Sequence, residues 1–379
     1  MNRSGTYVNN LTGEALYKSF RPATLPPSPV LGIDDSMIAH LVEANRYLVQ
    51  LDTASRFMDK SNLFVSMYVR KEALMTSQIE GTQCILDDIL DPEIDQNINN
   101  DVSEVINYVK AAQYAMERLN TLPLCNRLLK ETHAILMEGA RGQDKSPGEF
   151  RRSQNWIGPA NSTLNEARFV PPNVNDMTEA MSSLEKYINE NNQYDPLIQA
   201  ALVHYQFETI HPFLDGNGRI GRLLILLYLI EQKRLSKPIL YVSYFLKKNQ
   251  IEYYDRMSEV RTSGNYEQWV KFFLEAVKAA AKDAIETIER LSSLHSKNIA
   301  LLPKSNRKKD NYRLIFDYLQ QHPIIDIGKT AVSLHVTYNT VSSVVSRLVK
   351  LGILRESTNA SRNKVFTYTE YLDILRKDT

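Results

Sequence analysis

The chain has little cysteine and no long apolar run. Of its 379 residues only Cys84 and Cys125 are cysteines, and neither belongs to a Cys-x-x-Cys pair. This excludes a disulfide framework and is typical of a reducing compartment. The longest apolar run, Leu223 to Ile230, spans eight residues, whereas a membrane-spanning helix needs about 20. It therefore predicts a buried helix of a soluble protein with no membrane partner.

The N-terminal residues also lack the apolar stretch of a signal peptide, so we predict a cytoplasmic protein. The net charge is only +1, but it is unevenly distributed. Residues 301–379 hold 13 Lys/Arg against 7 Asp/Glu, a net charge of +6, whereas the remainder holds 32 against 37, a net charge of −5. A basic tail on an acidic body predicts a nucleic acid or another acidic partner for the tail, or else a solvated basic surface.

Strand signals are scarce and helical patterns fill most of the chain, which predicts a mainly α fold. The first thirty residues are proline-rich, and we expect them to run irregularly over the surface. Asn155 to Val170 are an exception among the helices, because two short β-prone pieces flank a polar loop and predict a hairpin. The helical patterns lie near residues 101–119, 124–139, 176–191, 195–210, 218–233, 247–261 and 265–298.

The C-terminal residues resemble a winged helix-turn-helix. A basic linker (301–310) precedes three helical patterns, of which the third has Thr337 as N-cap and Gly352 at its end. Two alternating pieces around a polar turn follow, as wing strands would. Because many such modules bind no DNA, protein docking or dimerisation stays open beside DNA binding. The side chains that could meet a DNA major groove are Tyr338, Asn339, Ser342, Ser343 and Arg347.

Residues 207–222, FETIHPFLDGNGRIGR, carry the strongest chemical signal. Pro212 ends the preceding helix, because proline disfavours α geometry in the residue before it. Gly216 and Gly218 allow positive φ, so that backbone N–H groups can converge on an anion. The apolar helix that starts behind them adds free donors and a favourable dipole. The loop therefore predicts a phosphate site.

Charged residues complete this predicted site. Arg219 and Arg222 are three residues apart and share one helix face, which suits a di- or triphosphate. Asp215 can hold Mg²⁺, an ion that typically takes one or two protein carboxylates together with phosphate oxygens. His211 titrates near neutral pH and is the natural general base for a hydroxyl nucleophile. Each residue is common alone, but together they predict nucleotidyl or phosphoryl transfer.

A second feature is the segment LMTSQIEGT, residues 74–82, which has the pattern of a helix end closed by Gly81. Glu80 stands at the negative end of the helix dipole, where a carboxylate is unfavourable. A guanidinium partner would make that position tolerable. Without one, Glu80 would be a solvated helix-end residue.

The segment HPFLDGNGRIGR resembles the Fic family signature at every fixed position. The resemblance extends to the N-terminal region, to the segment before the predicted hairpin and to a C-terminal winged helix. It implies a Fic-type helical bundle with a small β-hairpin flap. The implied domains are residues 1–115 with an inhibitory helix at about 61–81, residues 116–300 with the catalytic core and trailing helices, and residues 301–379 with the winged helix-turn-helix.

The family implies protein AMPylation, in which AMP passes from ATP to a Ser, Thr or Tyr hydroxyl of a target protein. ATP and Mg²⁺ are the implied substrate and cofactor. The related Doc branch, which phosphorylates instead, carries a bulkier residue in the second glycine region, so the intact Gly218 favours AMP transfer. The hairpin at 155–170 resembles the flap that registers the target segment by β-augmentation.

Carried over by position, His211 deprotonates the target hydroxyl, Asp215 binds Mg²⁺ and Phe213 anchors the loop. Tyr253 and Tyr254 fall where family members place aromatic residues near the nucleotide base. The residues that match the family's phosphate contacts are Gly216, Asn217, Gly218, Arg219 and Arg222, of which the two arginines hold the outer phosphates.

Thr76, Glu80 and Gly81 match the inhibitory motif of Fic proteins. There the glutamate pairs with the second motif arginine, Arg222 here, so that the γ-phosphate of ATP cannot seat productively. The leading hypothesis is therefore a self-inhibited adenylyltransferase. A DNA-binding regulator whose body senses nucleotide, and a Fic enzyme that mainly removes AMP, stay open as alternatives. A homodimer also stays open.

Overall fold

The computed structural model describes most of residues 3–377. The segments that it leaves out are 13–15, 58–60, 92–98, 140–142, 160–161, 191–192, 304–305 and 358–363.

Helices make up most of the body, as predicted. The predicted helices from residue 101 onwards are confirmed with shifts of a few residues at their ends. Two short helices, α3 and α9, were not predicted. In chain order the helices are α1 (Asp35–Phe57), α2 (Ser61–Ile79), α3 (Leu86–Leu90), α4 (Asn100–Arg118), α5 (Asn126–Leu136), α6 (Val174–Asn189), α7 (Pro196–Ile210), α8 (Asn217–Glu231), α9 (Val242–Lys248), α10 (Gln250–Ser263) and α11 (Tyr266–Leu301).

Side-chain caps fix where several helices begin. The Asp34 carboxylate accepts the Met37 N–H at 2.8 Å at the start of α1. Asn99, Asn173 and Asp195 cap α4, α6 and α7 in the same way. Each such cap typically stabilises a helix by about 0.5–2 kcal/mol, because it satisfies a backbone donor that the helix leaves free.

The antiparallel pair α7 and α8 forms the centre of the body. Every residue of α7 from Leu197 to Ile210 is buried, and α8 is buried over most of its length. A helix that is buried on all faces must be surrounded by others. α6 and α11 pack against α7, and α2 and α4 pack against α8. Trp269 of α11 is fully buried and donates its indole N–H to the Ala201 carbonyl at 2.8 Å. The loop between α7 and α8 is thus held by two core helices.

The N-terminal segment forms a β-hairpin, so the predicted irregular path is wrong there. Strands β1 (Gly5–Asn10) and β2 (Tyr17–Pro22) pair antiparallel. The prolines that suggested an irregular segment cluster at and after the end of β2. Phe20 is buried, packs 6.1 Å from the Phe169 ring and donates its N–H to the Val170 carbonyl at 3.0 Å.

Residues 306–377, which we call the C-terminal module, contain the elements expected of a winged helix. Thr337 caps the third helix through the Thr340 N–H, and Gly352 closes it with φ 74°. The turn between the last two strands, 358–363, lies outside the described residues. The elements are α12 (Asn306–Leu319), β3 (Ile324–Asp326), α13 (Ile327–Ser333), α14 (Tyr338–Lys350), β4 (Arg355–Glu356), β5 (Val365–Thr367) and α15 (Thr369–Leu375), with the antiparallel sheet order β3-β5-β4.

The predicted domain boundaries can be compared with the helices. The boundary at 115/116 falls inside α4, whereas the boundary at 300/301 falls at the end of α11.

Among the described residues, none of the helices has the length and apolar character needed to cross a bilayer.

We predict that Leu224→Ala lowers the free energy of unfolding by about 2–5 kcal/mol, because Leu224 is fully buried in α8 and its truncation leaves a cavity. Urea denaturation followed by circular dichroism measures the change. Leu314→Ala is the matched control, since Leu314 is 40% exposed and should change stability by less than about 0.5 kcal/mol. Equal losses in both variants would contradict the placement of α8 at the centre.

Candidate active site

A sharp loop joins α7 to α8. α7 ends at Ile210, and His211 takes left-handed backbone angles of φ 51° and ψ 61°. Gly216, with φ 74°, directly precedes Asn217, the first residue of α8. The two left-handed residues reverse the chain within six positions, so that the α8 N-terminus and His211 both lie near the Glu80 carboxylate.

Asn217 locks this loop from inside. Its buried side chain accepts the Phe213 N–H and donates to the Phe213 carbonyl, both at 2.8 Å. The sequence predicted that Asn217 contacts phosphate, but its side chain is committed to the loop. The backbone N–H groups of Gly218 and Arg219 have no acceptor within the described parts of the chain, as expected in the first turn of a helix. These donors can receive an anion.

His211 has the protonation state that a general base needs. Burial lowers its pKa to about 4, so the predicted titration near neutral pH is wrong and the ring is neutral at physiological pH. Its Nδ1 lies 3.3 Å from the Glu208 carbonyl, so that Nδ1 donates there. Nε2 is then left as the acceptor, which can take a proton from a hydroxyl.

Asp215 and Arg219 lie on the other side of the loop. The Asp215 carboxylate accepts the Gly216 N–H at 2.6 Å and is half-exposed. Arg219 is 5% exposed and lies 3.5 Å from the Glu104 carboxylate and 3.8 Å from that of Asp215. Within the described residues no group of three or more His, Cys, Asp and Glu could hold a metal ion unaided. One half-exposed carboxylate beside free amides suits Mg²⁺, which takes its other ligands from phosphates and water.

Arg222 reaches back from α8 to the end of α2. Its Nε donates to the Thr76 hydroxyl at 2.6 Å, and its Nη2 donates to the Thr76 carbonyl at 3.1 Å and to Glu80 Oε1 at 2.5 Å. The guanidinium is buried, whereas the Glu80 side chain is 36% exposed. Burial disfavours both charges, but each partner stabilises the other: the pKa of Glu80 is lowered and that of Arg222 is raised.

Gly218 lies directly beside this ion pair. A Cβ atom at position 218 would overlap Glu80 Oε1 and would lie 3.0 Å from Arg222 Nη1. With Glu80 and Arg222 in these positions, there is no room for a side chain at 218. α2 ends at Ile79, and Gly81 follows with φ 97°, which brings Glu80 to this position.

Comparison with known families agrees with this geometry. The model described as "Fic/DOC family" matches residues 123–229, and the model described as "Fic/DOC family N-terminal" matches residues 38–117. Residues 38–117 and 123–229 belong to the Fic/DOC family.

Curated relatives of this Fic protein include "Protein adenylyltransferase Fic" of Aedes aegypti, 32% identical over 133 residues, and that of Drosophila grimshawi, 31% identical over 133 residues. Each match covers 35% of this chain, but only 23% and 24% of the relative's length. The chain thus spans less than a quarter of these relatives.

Solved structures share the fold at low sequence identity. A Fic family protein from Desulfovibrio desulfuricans superposes with a TM-score of 0.58 at 18% identity, covering 89% of this chain and 97% of the other. A Fic domain containing signaling protein from Bacteroides thetaiotaomicron gives a TM-score of 0.51 at 17% identity, covering 65% of this chain and 97% of the other. These similarities establish the fold.

The predicted flap of the Fic domain is smaller than a hairpin of two strands. Ile157 and Phe169 form one antiparallel bridge, with reciprocal N–H to carbonyl bonds of 2.8 and 3.0 Å. A short 3-10 turn, Leu164–Glu166, lies between them, and residues 160–161 lie outside the described part. Because β2 bonds to Val170 on the far side, the flap edge near Asn155 faces the Fic loop.

Tyr253 and Tyr254 have different environments. Tyr253 is 1% exposed, and its hydroxyl bonds to His204 Nε2 at 2.9 Å, while His204 Nδ1 bonds to the Gly221 carbonyl at 2.8 Å. Tyr253 therefore supports α8 from the core and offers no surface to a nucleotide base. Tyr254 is only partly buried, and its ring lies 5.9 Å from the Arg168 guanidinium. The base contact predicted for Tyr254 stays a prediction.

His133 supports the Fic loop, a role that sequence reasoning missed. Its ring stacks on Phe213 at 3.8 Å and 7°. Nδ1 accepts the Gly148 N–H at 2.9 Å, so the proton is on Nε2, which donates to the Asp215 carbonyl at 3.0 Å. Burial lowers the pKa of His133 to about 4. Only the neutral ring can make both hydrogen bonds.

Arg151 and Asn155, which were also missed, grip the other end of the loop. Arg151 is 1% exposed, and its Nε donates to the His211 carbonyl at 3.0 Å. Its backbone N–H donates to the Pro212 carbonyl at 2.9 Å. Asn155 donates to the carbonyls of His211 and Phe213 at 3.2 and 2.9 Å. Fixed in this way, the left-handed His211 cannot relax toward helix.

Two buried carboxylates, Glu72 and Glu208, lie near Arg222. Burial raises the pKa of each to about 7, against the attraction of Arg222. Glu72 accepts the Ser243 hydroxyl, and Glu208 Oε1 has no donor among the described residues. Neither had a sequence signal, because their partners come from distant elements.

We predict that His133→Phe lowers the free energy of unfolding at pH 7, because the ring keeps its stacking but loses two hydrogen bonds. This deficit should shrink as the pH falls from about 6.5 to about 4. Below pH 6.5 the unfolded wild type binds a proton at His133 that the folded wild type, with a pKa of about 4, cannot accept. The unfolded variant gains no such proton.

Urea denaturation at intervals between pH 7 and pH 4 tests this expectation. The difference between the two proteins cancels the titration of shared groups such as Glu72 and Glu208. A deficit that is constant with pH would contradict the neutral, buried state of His133.

Proposed function

We propose that this protein is an adenylyltransferase that transfers AMP from ATP to a hydroxyl side chain of a protein target. The names of its curated relatives, each matched over less than a quarter of its length, support this activity. The single observation that carries the proposal is the Fic loop itself, where a neutral His211 and the free amides of the α8 N-terminus both lie near the Glu80 carboxylate. In our proposal these amides would stabilise the negative charge that develops on a phosphate during attack.

In this mechanism His211 Nε2 removes the proton of the target hydroxyl, whose oxygen attacks the α-phosphate. The amides of Gly218 and Arg219 stabilise the charge on that phosphate, and pyrophosphate leaves. Asp215 would hold Mg²⁺, which would neutralise phosphate charge when bound. The flap edge near Asn155 would align an extended target segment through backbone hydrogen bonds.

Glu80 restrains this reaction in our proposal. Arg222 would hold the outer phosphate of ATP, but Glu80 and Thr76 occupy its Nε and Nη2 donors. ATP must therefore displace a carboxylate from a buried guanidinium, which is unfavourable because Arg222 has charge-assisted partners already.

We expect Glu80→Gly to increase AMP incorporation by on the order of tenfold over wild type, which is typical of the coupling between two sites. Incubation with Mg-ATP labelled at the α-phosphate, with cell extract as a source of targets, measures the incorporation. Glu190→Gly is the matched control, because Glu190 is an exposed carboxylate at the end of α6 that pairs with Lys186.

The double variant Glu80→Gly/His211→Ala should bind ATP but incorporate no label. If neither wild type nor Glu80→Gly labels any protein, the proposed activity is wrong.

Removal of AMP from a modified protein would use the same residues. The time course of labelling distinguishes addition of AMP from its removal. Label that decays with wild type but persists with Glu80→Gly would indicate that removal is the main activity.

DNA binding by the C-terminal module is a second candidate function, supported by the surface of α14. Tyr338 is 58% exposed there, and Asn339, Ser343 and Arg347 are exposed beside it, whereas the opposite face of α14 is buried. An exposed polar and basic face on the third helix is what major-groove readers present.

We expect the full-length protein to shift duplex DNA at low salt, and Arg347→Ala to weaken that shift. A gel-shift titration at two salt concentrations measures both effects. Arg290→Ala on α11 is the control, since Arg290 is exposed but lies outside the module. No shift by wild type at low salt would remove DNA from the list of partners.

A further inference from the structure

Helix α2 is held from two sides. On one side its end contacts the Fic core: Gln78 Oε1 accepts the Lys247 ammonium at 2.5 Å, and the Ile79 carbonyl accepts Gln250 at 3.2 Å. These contacts lie between Thr76 and Glu80, which bind Arg222. The other side of α2 faces the C-terminal module.

Lys71 makes the first contact with that module. It is 4% exposed, although it carries a charge. Its ammonium donates to the Lys377 carbonyl at 3.1 Å and lies 3.9 Å from the Asp283 carboxylate on α11. Lysine is almost never fully buried unless its charge is paired, so α2 depends on the chain end to enclose this side chain.

Arg376 makes the second contact, just beyond α2. Its Nε and Nη2 donate to the two oxygens of Asp87 at 2.9 and 2.5 Å. Two parallel bonds between a guanidinium and a carboxylate fix geometry as well as charge. Asp87 lies in α3, which follows the turn at Glu80 and Gly81 after a few residues. The module is therefore tied to the chain on both sides of the inhibitory turn.

The module has further contacts with α11. α15 packs on this helix, where Asn298 donates to the Tyr368 hydroxyl at 2.7 Å, and the Phe316 ring lies 5.2 Å from that of His295. A cavity of about 420 Å³ lies between the body and the module, and Ile89, Val109 and Ile325 line it. The module therefore packs tightly on α11 but incompletely against α3 and α4.

We propose that the C-terminal module is a second restraint on the inhibitory helix α2. When the module is docked, Lys71 and Arg376 hold α2 and the turn after it, so that Glu80 stays on Arg222. A partner that shifts the module withdraws these contacts and loosens α2. The proposal rests on the proposed function in that Glu80 must be inhibitory for the restraint to affect activity.

The test is Arg376→Asp in the full-length protein, compared with Asp87→Arg and with the double charge swap. Hydrogen exchange of the peptide covering residues 65–79, followed by mass spectrometry, reports the restraint without any assay of catalysis. We expect several-fold faster exchange in each single variant and recovery in the swap. Arg313→Asp on α12 is the control, since Arg313 is an exposed arginine of the same module.

Incorporation of labelled AMP is measured on the same variants, with Glu80→Gly as reference. We expect Arg376→Asp to exceed wild type and the swap to return toward it. Unchanged exchange of α2 in both single variants would overturn the restraint. Faster exchange without increased labelling, while Glu80→Gly does label, would overturn its link to inhibition. Faster exchange with no labelling by any variant would leave the restraint in place and refute the proposed function instead.

Discussion

The buried guanidinium of Arg222 is the group on which the rest of the site depends. A buried charge is costly unless partners surround it, and α8 has no acidic residue in the turn that carries Arg222. The Thr76 hydroxyl and carbonyl and the Glu80 carboxylate come from α2. Since burial raises the pKa of Glu72 and Glu208 to about 7, Glu80 is the counter-ion that stays fully ionised. The N-terminal half of the chain is therefore needed to bury α8.

The Fic loop is rigid for a related reason. The carbonyls of His211, Phe213 and Asp215 accept hydrogen bonds from the side chains of Arg151, Asn155 and His133, and the His133 ring also stacks on the aromatic anchor Phe213. Asn217 closes the same loop from within. Donors that are already oriented cost no reorganisation during a reaction, and side chains locked by neighbours keep that orientation. The free amides of α8 are in this sense prepared before any ligand arrives.

Features that depend on residues close together in the sequence could be predicted. Helices with full apolar periods and Pro212, Gly216 and Gly81 at their ends could be predicted, as could the Glu80–Arg222 pair once the family resemblance supplied the partner. The helix α9 was missed because its residues, VSYFLKK, are short and β-prone, and tertiary packing against α2 decides their state. The hairpin β1–β2 was missed because the nearby prolines favoured the prediction of an irregular segment over paired strands. His133 and Arg151 donate hydrogen bonds to backbone carbonyls of a loop that is distant in the sequence. Such contacts cannot be recognised from composition or from residue spacing.

Gly218 satisfies two structural requirements at one backbone position. The α8 N-terminus needs an unhindered amide there, and the Glu80–Arg222 pair needs the space that a Cβ atom would fill. A side chain at 218 would push the Glu80 carboxylate away from Arg222 and would stand beside the amides of the first turn of α8. If Glu80 restrains the reaction as we propose, a substitution here would relieve the restraint and obstruct the proposed phosphate site together. The two effects could then be separated only by changes at Glu80 itself or in α2, and not at Gly218.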